Sequence, residues 1–478
     1  MKSNVAIQLK PSQERAFNRL KLFITRPNKG IFILKGYAGT GKTTLMRVLV
    51  EELKRKELRF VLLASTGRAA KIISNITDCN ASTVHSKIYM FHELNQDIET
   101  IVKDREKTGV DKSGQLLLNF DLVRIEHGDG RPSVYIVDEA SMISDKADPN
   151  ALQATFGSGK LLTDLLAHDK NGKFIFVGDE CQLPPVTQSS SPALSENYLS
   201  QHFDFPVEEV GLTEIVRQSS DNDIVLASKK IRDLYMNPPS IKWAKFPLLG
   251  HKNIRVLSDQ ATLLKQYVDN IKDKGFNDST FICFSNRSCD IITSLIRPML
   301  GITQPTLQVG DLLLVTQNNY ISGLMNGDLV KVEEVGIREK RAGLTFVKIA
   351  VKELFTKKVY TQMLCENVLY SDRTNLTQSE QKELFIDYYH RMKAKDIHQK
   401  SPLFGKYMMT DPYLNALRAV FGFALTCHKS QGGEWDYVYL DISKNVPAIE
   451  KPYVYQWIYT AMTRAKIQLY IVDGWWLT

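Results

Sequence analysis

Six cysteines, Cys79, Cys181, Cys283, Cys289, Cys365 and Cys427, are scattered through 478 residues with no CxxC pair and no Cys/His set around them. That spacing excludes the common zinc-ligand patterns and offers no disulfide framework, so a reducing compartment is expected. Long apolar runs are also missing. No stretch approaches the roughly 20 residues that a bilayer crossing needs, and Met1 to Pro11 hold no apolar segment. A cytosolic chain without membrane association follows as the expectation. There is no repeat at a short fixed period and no nuclease constellation. With 43% hydrophobic and 24% charged residues the composition is that of ordinary globular proteins, and the length allows two to four domains, each with its own core. The 61 Lys+Arg exceed the 53 Asp+Glu by 8, an excess that suits a polyanionic partner without singling one out.

Short apolar runs mark where strands belong. Residues 31–35 (IFILK), 60–64 (FVLLA), 134–137 (VYIV) and 174–177 (FIFV) each feed a polar or Gly/Asp-containing turn. The first leads through a glycine-rich turn into Thr43 to Lys54, where apolar positions recur at helical spacing. A parallel sheet with crossover helices is the economical architecture for that pattern. A second set at 281–284 (FICF), 421–426 (FGFALT), 437–440 (YVYL) and 469–472 (LYIV) predicts a second α/β lobe.

Two stretches interrupt the lobes. Between 87 and 133 the periodicity fades into charged sequence, then returns as a strand-like LLLNFDLVRI and a turn at Gly128–Gly130, which reads as a small insertion. From 306 to 370 the pattern turns to β (VGDLLLV, LVKVEEV, FVKIAV, KVYTQML), with Asn326–Gly327 as a hairpin turn, and predicts a small barrel. Thr377 with Glu380 then has the spacing of a capping box, and Leu384, Phe385, Tyr388, Tyr389 and Met392 mark one helical face at about 377–395.

Gly36-Tyr37-Ala38-Gly39-Thr40-Gly41-Lys42-Thr43 fits GxxxxGK[ST], placed after an apolar strand and opening a helix. In such a loop the glycines let backbone N–H groups curl around phosphates, the lysine reaches the β/γ oxygens and the hydroxyl holds Mg²⁺. Gly36, Ala38, Gly39, Thr40, Gly41, Lys42, Thr43 and Thr44 are therefore the predicted nucleotide-binding residues, with ATP and Mg²⁺ as cofactors. Asp138 and Glu139 close the VYIV run about 95 residues later. Asp138 is predicted to hold the metal and Glu139 to polarise the attacking water.

From these segments onward the chain resembles the superfamily 1 helicases. Five further segments carry that family's pattern in its order: ASTGRAAK (64–71) with ASTVHS (81–86), VGDECQLPPV (177–186), LTEIVRQ (212–218), LTCHKSQGGEW (425–435) and YTAMTRAK (459–466). The wording is most similar to RecD-like and Dda-like members, including PSQERAF with its Gln13. The resemblance spans nearly the whole chain and implies an ATP-dependent DNA helicase that travels 5′ to 3′ on single-stranded DNA and unwinds duplex. It implies Gln13 as the adenine-reading residue, Glu434 as a further nucleotide contact, Gln182 as the γ-phosphate sensor, and Arg217 and Arg464 as the cations for the transferring phosphoryl group. Thr66, Thr83 and His85 in the first lobe, and Thr426, His428 and Lys429 in the second, match strand-contacting positions. Taken singly, each has a plainer reading: Gln182 as a loop residue capping a helix, and a lone Thr or His as a cap or core hydrogen bond. Tyr89, Phe91 and Phe120 are either a wedge that stacks on the junction base pair or the core of a small module. Trp435, Trp457, Trp475 and Trp476 are expected to be packing residues.

The implied fold is α/β, with two RecA-like P-loop motor domains. Residues 1–218 form the first, with a pin-type insertion at 87–133. Residues 219–305 and 420–478 form the second, and 306–419 an SH3-like accessory domain with a helical arm. Single-stranded DNA and its junctions with duplex are the implied partners, replication or repair proteins further ones, the monomer the active form, and the nucleoid the place. An ATP-gated clamp or loader that does not translocate, or an RNA helicase, are the competing functions.

Overall fold

The apolar runs pair side by side. In the computed structural model, which describes residues 9–108, 116–126, 132–147, 154–186, 188–214, 222–319 and 321–478, six strands form one sheet. Their order is Ala81–Thr83, Phe60–Ala64, Val134–Asp138, Lys173–Gly178, Gly30–Gly36 and Val207–Leu212, every neighbouring pair parallel. The expected turn at Gly128–Gly130 lies outside the described residues. Side chains of a strand alternate between faces, and both faces here are covered. Ile31, Ile33, Phe174 and Phe176 pack on Leu162, Leu165 and Leu166 of one layer, while Phe32, Leu34, Ile175 and Val177 pack on Leu45, Leu49 and Leu53 of the Lys42–Arg55 helix.

A second parallel sheet runs Ile254–Leu257, Ala465–Val472, Trp435–Leu440, Ser279–Cys283 and Ala424–Thr426. The predicted 421–426 strand is corrected here. The run is divided between two sheets, because Ala419–Phe421 pairs with Leu312–Val315 and only Ala424–Thr426 joins the second lobe. Gly422 is the crossing point, where a Cβ would stand 3.0 Å from the Leu313 backbone and 2.8 Å from the Leu329 side chain.

The stretch from Leu312 to Phe421 builds a five-stranded antiparallel sheet in the order Val359–Cys365, Leu344–Glu353, Leu329–Arg341, Leu312–Val315, Ala419–Phe421. Asn326–Gly327 is not the hairpin turn expected of it. Leu314 pairs with Leu329, so the connection is long, and these two residues only centre a turn near its far end, closed by Asp328 N–H on Met325 O at 3.0 Å. The two-residue hairpin is Ala342–Gly343, at φ 51° and 75° between paired Arg341 and Leu344, the positive-φ pair that matches strand twist. The accessory sheet is fastened to the second lobe by Arg297, whose Nε donates to Asp311 at 2.8 Å.

Thr377 and Glu380 form the predicted capping box, and the helix Gln378–Lys393 buries Leu384, Phe385, Tyr388, Tyr389 and Met392. Its partner was not legible in the chain. Phe385, Tyr389 and Met392 pack on Ile98, Ile101 and Val102 of the Ile98–Thr108 helix in the insertion, with Arg105 donating to Glu383 at 3.0 Å. The insertion carries its own sheet, Tyr89–Leu94, Leu118–Leu122 and Ala154–Phe156, whose third strand comes from beyond Val134–Asp138. Tyr89 and Phe120 are core there: both are 8% exposed, Phe120 stacks on Phe156 at 4.7 Å, and the Tyr89 hydroxyl donates to Asp164 at 2.7 Å. Of the four late tryptophans, Trp435, Trp457 and Trp476 are buried as expected. Trp475 departs from that expectation, since the chain leaves its last strand at Val472 and turns only Trp476 inward, leaving Trp475 half-exposed.

Candidate functional site

The parallel pairing aligns strand ends. Ala64 lies beside both Thr83 and Asp138, and Gly36 beside Leu212, so the loops following these strands share the carboxyl edge of the sheet, where open α/β sheets hold ligands. Gly39 and Gly41 take φ 80° and 78°, values open to glycine without cost. Gly36 is held by contact, since a Cβ there would meet Thr40 Oγ1 at 2.6 Å. Lys42 Nζ folds into this loop and donates to the carbonyls of Gly36 at 2.6 Å and Tyr37 at 3.2 Å. Thr43 is exposed on the first helical turn and Thr44 is half-buried beside it. Gln13, 1% exposed, faces the loop's backbone. Its Nε2 donates to Thr40 O at 3.3 Å and Gly41 O at 3.4 Å, and its Oε1 accepts from Lys10 N–H at 3.0 Å.

Asp138 ends its strand, and its Oδ1 accepts the Glu139 N–H at 2.9 Å. Burial, and then the charge of Glu139, push the Asp138 carboxyl up, while Lys42 pulls it back. Glu139 sits at φ 51°, an uncommon conformation for a non-glycine residue that turns it away from the strand line. Asp179, at the end of the neighbouring strand Lys173–Gly178, is also buried. Burial raises its carboxyl, against which stand Lys42 of the first lobe, the Tyr459 hydroxyl, and Arg464 of the second lobe. Gln182 is buried, and its Oε1 has no hydrogen-bond partner among the described residues.

The second lobe meets these groups through the helix Tyr453–Met462. Tyr459 Oη accepts from Ala38 N–H at 3.1 Å and donates to Asp179 Oδ2 at 2.7 Å. Thr460 Oγ1 accepts from Leu183 N–H at 2.9 Å, and Gln456 Nε2 donates to Gln182 O at 2.9 Å. Arg464 follows on the same face, buried, donating to Thr460 O at 3.0 Å and Gly433 O at 3.2 Å. Glu434 is exposed next to Trp435, over whose ring the Arg68 guanidinium lies at 4.1 Å. Arg217 lies outside the described residues. Tyr459, Thr460, Gln456 and Asp179 were not singled out in the sequence, although they lie in or beside the motif segments. For the three on the helix the signal was the spacing of 456, 459 and 460 with Arg464, which places them on one face.

The strand candidates divide. Thr66 and Thr83 are helix N-caps, accepting from Ala69 N–H and Ser86 N–H, each at 3.2 Å, so the plainer reading of these hydroxyls holds alongside any other. His85 is exposed, its ring packed against Tyr89 and Phe156 at 5.8 and 5.6 Å. Thr426 starts the helix Cys427–Ser430 without a side-chain cap bond. With Lys429 it lines a crevice between the second lobe and the accessory sheet, shared with Asn286, Asp290 and Arg373. Burial depresses Lys429 and His428 below their usual values. A hard divalent cation takes oxygen donors. The Thr43 hydroxyl and Asp138 carboxylate at the loop edge suit it, and among the described residues no group of three or more His, Cys, Asp or Glu could hold a metal ion.

Residues 8–237 match the family model of an AAA domain and 421–472 that of the UvrD-like helicase C-terminal domain. The RecBCD enzyme subunit RecD of Buchnera aphidicola is 20% identical over 98% of this chain and 74% of its own length. The ATP-dependent DNA helicase Pif1 of Campylobacter jejuni is 20% identical over 70% of this chain and 72% of its own. For the ATP-dependent DNA helicase dda of Enterobacteria phage T4 the identity is 24%, over 68% and 67%. Among solved structures, Pif1 helicase from Bacteroides in complex with ADP-AlF3 and ssDNA aligns with 98% of this chain and 93% of its own at 17% identity and a TM-score of 0.49.

Proposed function

We propose that this chain, similar to RecD- and Pif1-like helicases over most of its length, is an ATP-dependent DNA helicase whose two lobes close on ATP and carry it 5′ to 3′ along single-stranded DNA into duplex junctions. The observation that carries this reading is the seating of the second lobe's Tyr453–Met462 helix on the glycine-rich loop, where the Tyr459 hydroxyl meets both the Ala38 N–H and the Asp179 carboxylate.

The phosphates would be held by Lys42 and the backbone from Gly36 to Thr44. Thr43 and Asp138 supply oxygen donors for Mg²⁺, which when bound neutralises phosphate charge. Glu139 orients the attacking water. Arg464, with Arg217 and Gln182, stabilises charge on the transferring phosphoryl group. Gln13 braces the loop from beneath, where its amide meets Thr40 and Gly41. Glu434 completes the nucleotide contacts. When hydrolysis weakens the attraction across the lobes, the contact made by the Tyr453–Met462 helix loosens, and a strand gripped unequally by the two lobes is stepped along.

The strand path we assign runs from the helix starts at Thr66 and Thr83, past His85, to Thr426, His428 and Lys429. Hydroxyls, imidazoles and helix N-termini serve phosphate oxygens without reading sequence. The insertion, locked to the Gln378–Lys393 helix, is the body proposed to part the duplex, with 306–419 as the accessory domain between the two parts of the second motor domain. Because both cations come from one chain, a monomer suffices.

Strand displacement on matched substrates with 5′ or 3′ single-stranded tails, with and without ATP, tests this. Displacement confined to the 5′-tailed DNA and to ATP is expected. Binding without displacement would make the chain a clamp, and displacement confined to RNA would make it an RNA helicase.

A further inference from the structure

One oxygen ties three separate pieces of the molecule together. The Tyr459 hydroxyl, on a residue 1% exposed, takes the Ala38 N–H of the phosphate loop at 3.1 Å and gives its own proton to Asp179 Oδ2 at 2.7 Å. A phenol has one proton to donate and accepts through its oxygen. Both capacities are used here on groups of the opposite lobe. The other bonds of the same helix differ in kind. Thr460 and Gln456 reach backbone atoms of Leu183 and Gln182, which lie outside the phosphate loop. Of this helix's hydrogen bonds among the described residues, that of Tyr459 alone reaches the loop, where the second lobe otherwise lays the Arg232 guanidinium over the Tyr37 ring at 3.9 Å, and it does so at an N–H pointing from a turn whose glycines orient such groups toward anions. Burial holds the phenol's proton in place by raising its pKa far above the usual range, and Asp179 adds to this.

Resting on the reading of this loop as the triphosphate site, we propose that Tyr459 is the positioning residue through which the second lobe senses the loop. Its oxygen and a phosphate oxygen are alternative partners for the Ala38 N–H. A phosphate that takes that N–H releases the phenol to Asp179 alone, and a lobe movement that withdraws the phenol frees the N–H. Nucleotide affinity and lobe position are then linked through a single hydrogen bond, and the linkage is reciprocal. The phenol is neutral throughout, so no proton leaves the pair.

Tyr459→Phe removes the oxygen and keeps the ring. Equilibrium binding of fluorescent mant-ADP, followed by anisotropy without turnover, is expected to tighten by about 2- to 10-fold, the equivalent of one hydrogen bond. The factor by which saturating oligo(dT) changes mant-ADP affinity in the parent chain is expected to fall toward one. A merely structural tyrosine predicts the opposite, weaker binding in proportion to a lowered unfolding midpoint. That result, or unchanged affinity together with an unchanged oligo(dT) effect, overturns the inference. Lys42→Ala separates the two levels. Undiminished mant-ADP binding in that variant would sink the assignment of the loop and the inference with it, whereas loss there with no change in Tyr459→Phe sinks the inference alone.

Discussion

The Lys71 ammonium of the first lobe stands 2.6 Å from the Asp328 carboxylate of the accessory sheet. Both carboxylates on this boundary, Asp328 and Glu353, are buried, and Lys71 reaches the second at 3.9 Å. The accessory sheet is bonded to the second lobe through Arg297 and Asp311, so this pair joins elements that lobe movement would shift against each other.

Lys71→Ala leaves Asp328 buried without its ion partner, and breaking a buried pair from one side costs about 3 kcal/mol or more. A lowered unfolding midpoint is expected, recovered in Lys71→Met with Asp328→Leu. The defect should also depend on pH. Burial raises the Asp328 carboxyl above its usual value, against the pull of Lys71. A group whose folded pKa is raised binds its proton where the unfolded chain is ionised, so its contribution to stability rises as the pH falls through the folded pKa. Without the ammonium the rise is larger. The gap between variant and parent midpoints should therefore narrow from about pH 8 to about pH 5. A gap that widens in acid would contradict this.

Lys42→Ala should abolish ATP hydrolysis and leave single-strand binding largely intact. Undiminished hydrolysis refutes the assignment.

Arg464→Ala should lower turnover about 1,000-fold while moving nucleotide affinity far less, since such a contact strengthens in the transition state. Steady-state ATPase beside equilibrium nucleotide binding separates the two. Equal losses would make Arg464 a structural residue, a role its bonds to Thr460 and Gly433 also permit, and Arg464→Lys keeps the charge as the control.

Lys429→Ala should weaken oligo(dT) binding and reduce the salt dependence of that binding by about 0.7 in the log–log slope, the equivalent of one phosphate contact. An unchanged slope would remove Lys429 from the strand path.

Thr377→Ala deletes half of the capping box and should cost about 1 kcal/mol locally. Because its helix braces the insertion, the strand-displacement rate should fall while DNA-stimulated ATPase persists. A parallel fall in both would detach the helix from duplex separation.

The glycine-rich loop, the acidic strand end at Asp138 and the capping box at Thr377 were legible in the chain because each depends on neighbours in sequence: glycines where φ is positive, an apolar run before a turn, a hydroxyl three residues from a carboxylate. Most central strands were legible for the same reason. Nothing local distinguishes Phe421 from Ala424, yet they pair in different sheets, since the partner rather than the propensity selects the sheet. The Gln13 amide donates to the Thr40 carbonyl, a contact 27 residues away in the chain that no local pattern announces, and the insertion's aromatics form a core because a third strand arrives from Ala154–Phe156. Tyr459 and Ala38 are 421 residues apart. Their contact exists only once two independently built sheets are pressed together, and a hydrogen bond set by that closure leaves no periodicity in the chain to read.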